Sequence, residues 1–117
     1  MKDAKVEKSF EFSIKVLRVI RKIRKESKEY DLLNQLLRSA TSVGANIAES
    51  EYAQSSRDFI SKLSIARKEA NESRYWLRLF GVEGLMEKEI AEELCSDAEE
   101  LIRILTAIIK IKEEKEK

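Results

Sequence analysis

The sequence predicts an all-α fold, an antiparallel up-down-up-down four-helix bundle, and three observations predict it. Proline is absent and glycine occurs 3 times in 117 residues, so the residues that punctuate strands, hairpins and tight loops are nearly missing. Apolar residues recur every three or four positions through four consecutive stretches, the spacing of one helix face. The joints between the stretches are short and polar, which makes neighbouring helices antiparallel. The chain has the length of one domain, residues 1–117, with room for a single apolar core.

The expected helices span about 6–28, 31–52, 56–80 and 87–113. In the first, Val6, Phe10, Val16, Leu17, Ile20 and Ile23 fall on one broad side, which Phe12, Ile14 and Val19 widen, with Lys15, Arg18, Lys22 and Lys25 opposite. The polar joint Glu26-Ser27-Lys28-Glu29 ends it. The second has the narrowest stripe: Leu33, Leu36, Leu37, Ala40, Val43, Gly44, Ile47 and Ala48. Its segment SATSVGANIA is rich in small residues, which let two backbones approach closely, and Gln35, Ser39, Ser42 and Asn46 lie along one flank.

The third opens at Ser55 or Ser56, where Asp58 completes a capping box with aspartate in place of the usual Glu or Gln; its core line is Phe59, Leu63, Ala66, Ala70, Ser73, Leu77 and Phe80. Gly81 and Gly84 flank the next break, as where a helix ends in a left-handed residue. The fourth begins near Glu87, with Glu87, Glu89, Glu92 and Glu93 crowding the end that its dipole makes positive. Its core line is Ile90, Leu94, Ala98, Leu101, Leu105 and Ile108.

Composition narrows the function classes. Hydrophobic residues make up 43% and charged residues 38%, too apolar a balance for a disordered chain. The N-terminal MKDAKVEKSF is charged where a signal peptide is apolar, and no stretch approaches the roughly 20 apolar residues of a membrane span. The single cysteine, Cys95, cannot form an internal disulfide. The expected setting is therefore the cytoplasm, with no membrane partner. Histidine is absent, which removes the commonest general base and transition-metal ligand. No phosphate-cradling glycine loop is present, and nothing near Cys95 marks it as a nucleophile. The expectation is a protein that binds and does not catalyse, with no cofactor and no metal.

Net charge is +1, so attraction to nucleic acid has to come from local clustering. The first helix carries such a cluster, with Lys15, Arg18, Arg21, Lys22 and Lys25 at its centre, and the third adds Arg67, Arg74 and Arg78 at spacings of seven and four. Arginines so placed can grip phosphates or the planes of unstacked bases. The competing reading is that the acidic stretch Glu87–Glu100 neutralises the basic helix, the charges setting helix or subunit pairing. Apolar residues beyond the core lines, among them Phe12, Val19, Ile65, Trp76, Leu79 and Ile104, are candidate subunit-interface positions.

Two stretches, LLRSATSVGANIAES (Leu36–Ser50) and DFISKLSIARKEANESRYWLRLF (Asp58–Phe80), resemble the signature of a bacterial four-helix bundle family, the 23S rRNA intervening sequence proteins. Arg38-Ser39, Gly44-Ala45-Asn46 and Tyr75-Trp76-Leu77 carry the match, with Arg38, Ser39, Asn46 and Glu49 its polar positions. The resemblance implies a cytoplasmic bundle that assembles as a ring, a homopentamer, with no assigned catalysis and with RNA or DNA as candidate partner. The family is similar to accessory proteins of diversity-generating retroelements, basic pentamers that associate with nucleic acid and a reverse transcriptase; this chain departs from them in being almost neutral. The expected function is an oligomeric nucleic-acid-binding accessory protein. The alternative is a structural or adaptor ring whose charges specify self-assembly and protein partners.

Overall fold

The computed structural model describes residues 3–116. Four helices make up nearly all of them: α1 (Ala4–Arg24), α2 (Tyr30–Ser50), α3 (Ser56–Val82) and α4 (Lys88–Lys115). The bundle measures 50 × 26 × 20 Å. Each helix packs along its sequence neighbour, α4 closes back on α1 more thinly, and the α1–α3 and α2–α4 pairs stand across the diagonals. The connections are antiparallel, as the short joints require.

Local chemistry sets the ends. Asp3 caps α1, its carboxylate accepting from the Lys5 backbone N–H at 3.0 Å, so the helix starts two residues before Val6. It stops at Arg24 rather than 28, because the next turn tightens through the Glu26 N–H to Ile23 carbonyl bond. At α3 the Ser55 hydroxyl accepts from the Asp58 N–H at 3.0 Å. Asp58 reaches back to the Gln54 N–H at 3.3 Å, a capping box displaced by one residue. The α3 C-terminus closes on Gly84 (φ +75°), with the Leu85 N–H bonded to the Phe80 carbonyl at 2.9 Å, the six-to-one bond of a Schellman turn.

Gly81 lies inside α3 rather than in the turn, and it has a different job. A Cβ there would sit 2.7 Å from the Ala91 Cβ on α4, so glycine lets the two longest helices touch. At Gly44 a Cβ would meet the Ser13 hydroxyl at 3.4 Å and the Ser9 carbonyl at 3.5 Å, which is ordinary contact. The small residues of α2 thus seat it close on α1. Gly81→Ala is expected to destabilise the fold by about 1–3 kcal/mol through overpacking. Gly44→Ala should be neutral or stabilising by up to ~1 kcal/mol through helix propensity; thermal unfolding of both checks the contrast.

The core runs through all four helices: Phe12, Val16 and Ile20; Leu33, Leu36, Ala40, Val43 and Ile47; Leu63, Ala66, Ala70, Leu77 and Phe80; and Ala91, Leu94, Ala98, Leu101, Leu105 and Ile109. Three expectations are corrected. Phe12 is 1% exposed and Phe10 is 65% exposed, so the core stripe of α1 steps back from Val16 through Phe12 to Ser9 and Lys5. Phe12 is accordingly removed from the candidate interface. Ala48 is exposed on α2. On α4 the fully buried positions at the two ends are Ala91 and Ile109, each one residue beyond Ile90 and Ile108, which pack at the core's edge.

Candidate functional site

Along α1 the basic residues divide into two groups. Toward its N-terminal end the cations meet α4: the Lys15 ammonium lies 3.0 Å from the Asp97 carboxylate, and Lys8 pairs with Glu100. The Asp97 hydrogen bond raises the Lys15 pKa. These pairs explain why α4 closes on α1 with a charged seam, and they occupy Lys15. Beyond them Arg18, Arg21, Lys22 and Lys25 are all exposed, and among the described residues no carboxylate oxygen lies within 4.0 Å of any of them. The helix dipole favours cations in the last turn of α1, which accounts for Arg21, Lys22 and Arg24. Arg18 lies a turn further in. Lys22 also edges a shallow groove shared with Glu26 and Glu87 and floored by Val19, Ile23 and Leu85.

The α3 arginines do not join this patch. Their helix stands diagonally across from α1, and they face α4 instead. The Arg74 guanidinium is 4.0 Å from Glu99, Arg67 donates to the Thr106 hydroxyl at 3.4 Å, and Arg78 shares a groove with Glu92 and Glu99. The candidate set thus separates into a face on α1 and a row on α3 directed along α4, in which Arg74 alone has a carboxylate within 4.0 Å among the described residues. In that same groove, burial and the nearby Glu99 carboxylate push the Cys95 thiol pKa up, and a protonated thiol is a poor nucleophile. Among the described residues no group of three or more His, Cys, Asp or Glu side chains is placed to hold a metal ion.

The motif residues tie helices together. Arg38 on α2 donates to Glu69 at 2.8 Å and also to Glu72 on α3, while the Trp76 indole N–H donates to Glu72 at 3.0 Å. At the next positions in sequence the buried Ser39 and Ser73 hydroxyls meet at 2.9 Å; having one proton each, one donates across the helices while the other donates to a backbone carbonyl in its own helix, Leu36 for Ser39 or Glu69 for Ser73. Asn46 donates to the Ser42 carbonyl at 2.9 Å, and Glu49 lies 3.7 Å from the Lys62 ammonium.

The indole bond, with Arg38 second, holds the Glu72 carboxyl below its ordinary pKa. A depressed folded-state pKa stabilises the fold above the ordinary glutamate range, and the contribution is lost as pH falls through the depressed value. On acidification the wild-type melting temperature should therefore fall more steeply than that of Glu72→Gln. Parallel pH–melting curves check this.

Of the candidate interface residues, Val19, Trp76 and Leu79 pack at the core's edge, Ile104 is half-buried, and Ile65 is 40% exposed. Two residues escaped the sequence reading. Lys5 is buried with its ammonium 2.7 Å from Asp3 and 3.3 Å from Glu51, an ion triad at the end of the bundle; burial opposes its charge, but the two carboxylates together raise its pKa. Phe10 is the other. Counting back from Ile20 and Val16 in fours would have exposed it, because that count reaches Phe12.

A family model described as 23S rRNA-intervening sequence protein matches residues 2–107. The chain belongs to that family. A crystal structure of a protein of unknown function from the S23 ribosomal protein family of Bacteroides thetaiotaomicron superposes with a TM-score of 0.87 at 43% identity, covering 91% of this chain and 98% of the other. No functionally curated protein matches. For the 23S rRNA-intervening sequence protein fold, the Arg38, Ser39 and Gly44 contacts give the signature residues work in packing. No helix of the described residues is long and apolar enough to cross a membrane.

Proposed function

We propose that this protein is a non-catalytic, cytoplasmic accessory protein that binds RNA through phosphate contacts from the outer face of α1. The observation that carries the reading is the run of exposed cations at Arg18, Arg21, Lys22 and Lys25, none with a carboxylate partner among the described residues, while Lys8, Lys15 and Arg74 are occupied by α4. A compact unpaired cation row on a rigid helix suits a polyanion whose backbone it tracks without reading bases. The family's name refers to an intervening sequence of 23S rRNA, which makes RNA the polyanion to test first. Anisotropy titration with a structured rRNA fragment at several salt concentrations tests the proposal. Affinity should fall linearly with salt on logarithmic axes; absence of binding at low salt overturns it.

A second reading is a self-assembling adaptor ring, the homopentamer that the family resemblance implies. It is favoured by Ile65, Tyr75 and Val82, which leave α3 with apolar surface 40%, 62% and 77% exposed. On that reading Ile65→Lys lowers the mass seen by light scattering. An unchanged mass counts against it.

A further inference from the structure

Phe10 is a large apolar side chain left 65% in water, and no core or cap role accounts for it. From Phe10 the steps of four, three and four lead to Ile14, Leu17 and Arg21, a single line along the flank of α1 beside the stripe of buried Phe12, Val16 and Ile20. Ile14 and Leu17 are half-buried, Arg21 is exposed, and the exposed Arg18 and Lys25 stand three residues before and four after Arg21, so all share one face. Phe10 and Arg21 are separated by ~16 Å along the helix.

Resting on the RNA-binding reading, we propose that this face is built for unpaired nucleotides, with a base stacked on Phe10 and phosphates further along the same strand held by Arg18, Arg21 and Lys25. An exposed aromatic ring in line with cations along one face is how single strands are held without sequence choice, since every base has a stacking face and every linkage a charge. A duplex keeps its bases stacked within and offers this face only phosphates and sugars, which leaves Phe10 without a partner. The acidic Glu7 and Glu11, also exposed on α1, bracket Phe10 and discourage a phosphate there. The ring meets a base and the anion contacts fall C-terminal to it.

The test uses the full chain with two labelled probes in low salt, an oligouridylate and a blunt RNA duplex of equal length. Wild type should bind the single strand more tightly. Phe10→Ala should weaken that binding about tenfold with no effect on the duplex or on the salt slope, Phe10→Trp should retain it, and Arg21→Glu should weaken both probes. Equal or tighter binding of the duplex, an unaltered single-strand affinity in Phe10→Ala, or a changed oligomer mass in that variant overturns the stacking assignment and leaves phosphate binding standing. Failure of wild type to bind either probe removes the RNA-binding reading as well.

Discussion

Phe12→Ala is expected to cost about 3–5 kcal/mol of folding stability, as emptying a buried phenylalanine site does, whereas Phe10→Ala should stay within ~0.5 kcal/mol of wild type. The two residues are neighbours in sequence, with only Glu11 between them, and opposite in space: Phe12 is 1% exposed and sits among Val16, Ile20 and the facing core residues, and Phe10 is 65% exposed. A domain of this kind commonly has 5–15 kcal/mol in hand, so the Phe12 variant would sit near the edge of folding at room temperature. Urea unfolding monitored by circular dichroism measures both. Equal losses at the two positions would mean that α1 is rotated about its axis from the orientation described, and with it the placement of every cation on the helix.

Replacing Arg18, Lys22 and Lys25 together by glutamate should weaken RNA binding about a hundredfold or more at low salt, taking each charged contact at upwards of ~1 kcal/mol. It should also flatten the logarithmic salt dependence by about 2 units, because a single strand releases ~0.7 counterion for each phosphate that a cation neutralises. Among the described residues none of the three side chains has an ion-pair partner within 4.0 Å, so the substitutions break no bridge there. Their cost to folding is confined to the dipole at the end of α1, about 0.3–1 kcal/mol for each charge in the last turn. The triple glutamine variant separates the two effects, since it removes the cations without reversing the dipole interaction. Charge reversal at Arg67 and Arg78 should do far less, because those side chains lie along α4 on a helix that stands diagonally across the bundle from α1.

The helices were legible because the pattern that makes them is local. Periodicity, the Ser55 cap and the Gly84 turn identify α2 and α3 almost to the residue, and the fourth helix's acidic start marks its N-terminus. The phase of α1 was less legible, since Phe10 and Phe12 both extend its apolar side, and the residues that continue the true core line, Ser9 and Lys5, are polar. Lys5 hides in the bundle only because Asp3 and Glu51 come together there. Glu51 lies at the far end of α2, and no spacing rule connects it to Lys5. The same limit applied to the charges. A helical repeat aligns the α3 arginines, but which carboxylates they meet depends on how α4 packs beside them. The partition of the cations into paired and unpaired groups therefore emerges only from the packing.

Ultraviolet cross-linking of the purified protein to RNA, followed by mass spectrometry of the linked peptides, locates the bound strand on the bundle without altering a residue. Binding through the outer face of α1 should give cross-linked peptides from that helix, concentrated between Phe10 and Lys25. Cross-links confined to α3 and α4 at Arg67, Arg74 and Arg78, or none above a charge-matched control protein, would place the RNA elsewhere or nowhere and refute that mode of binding.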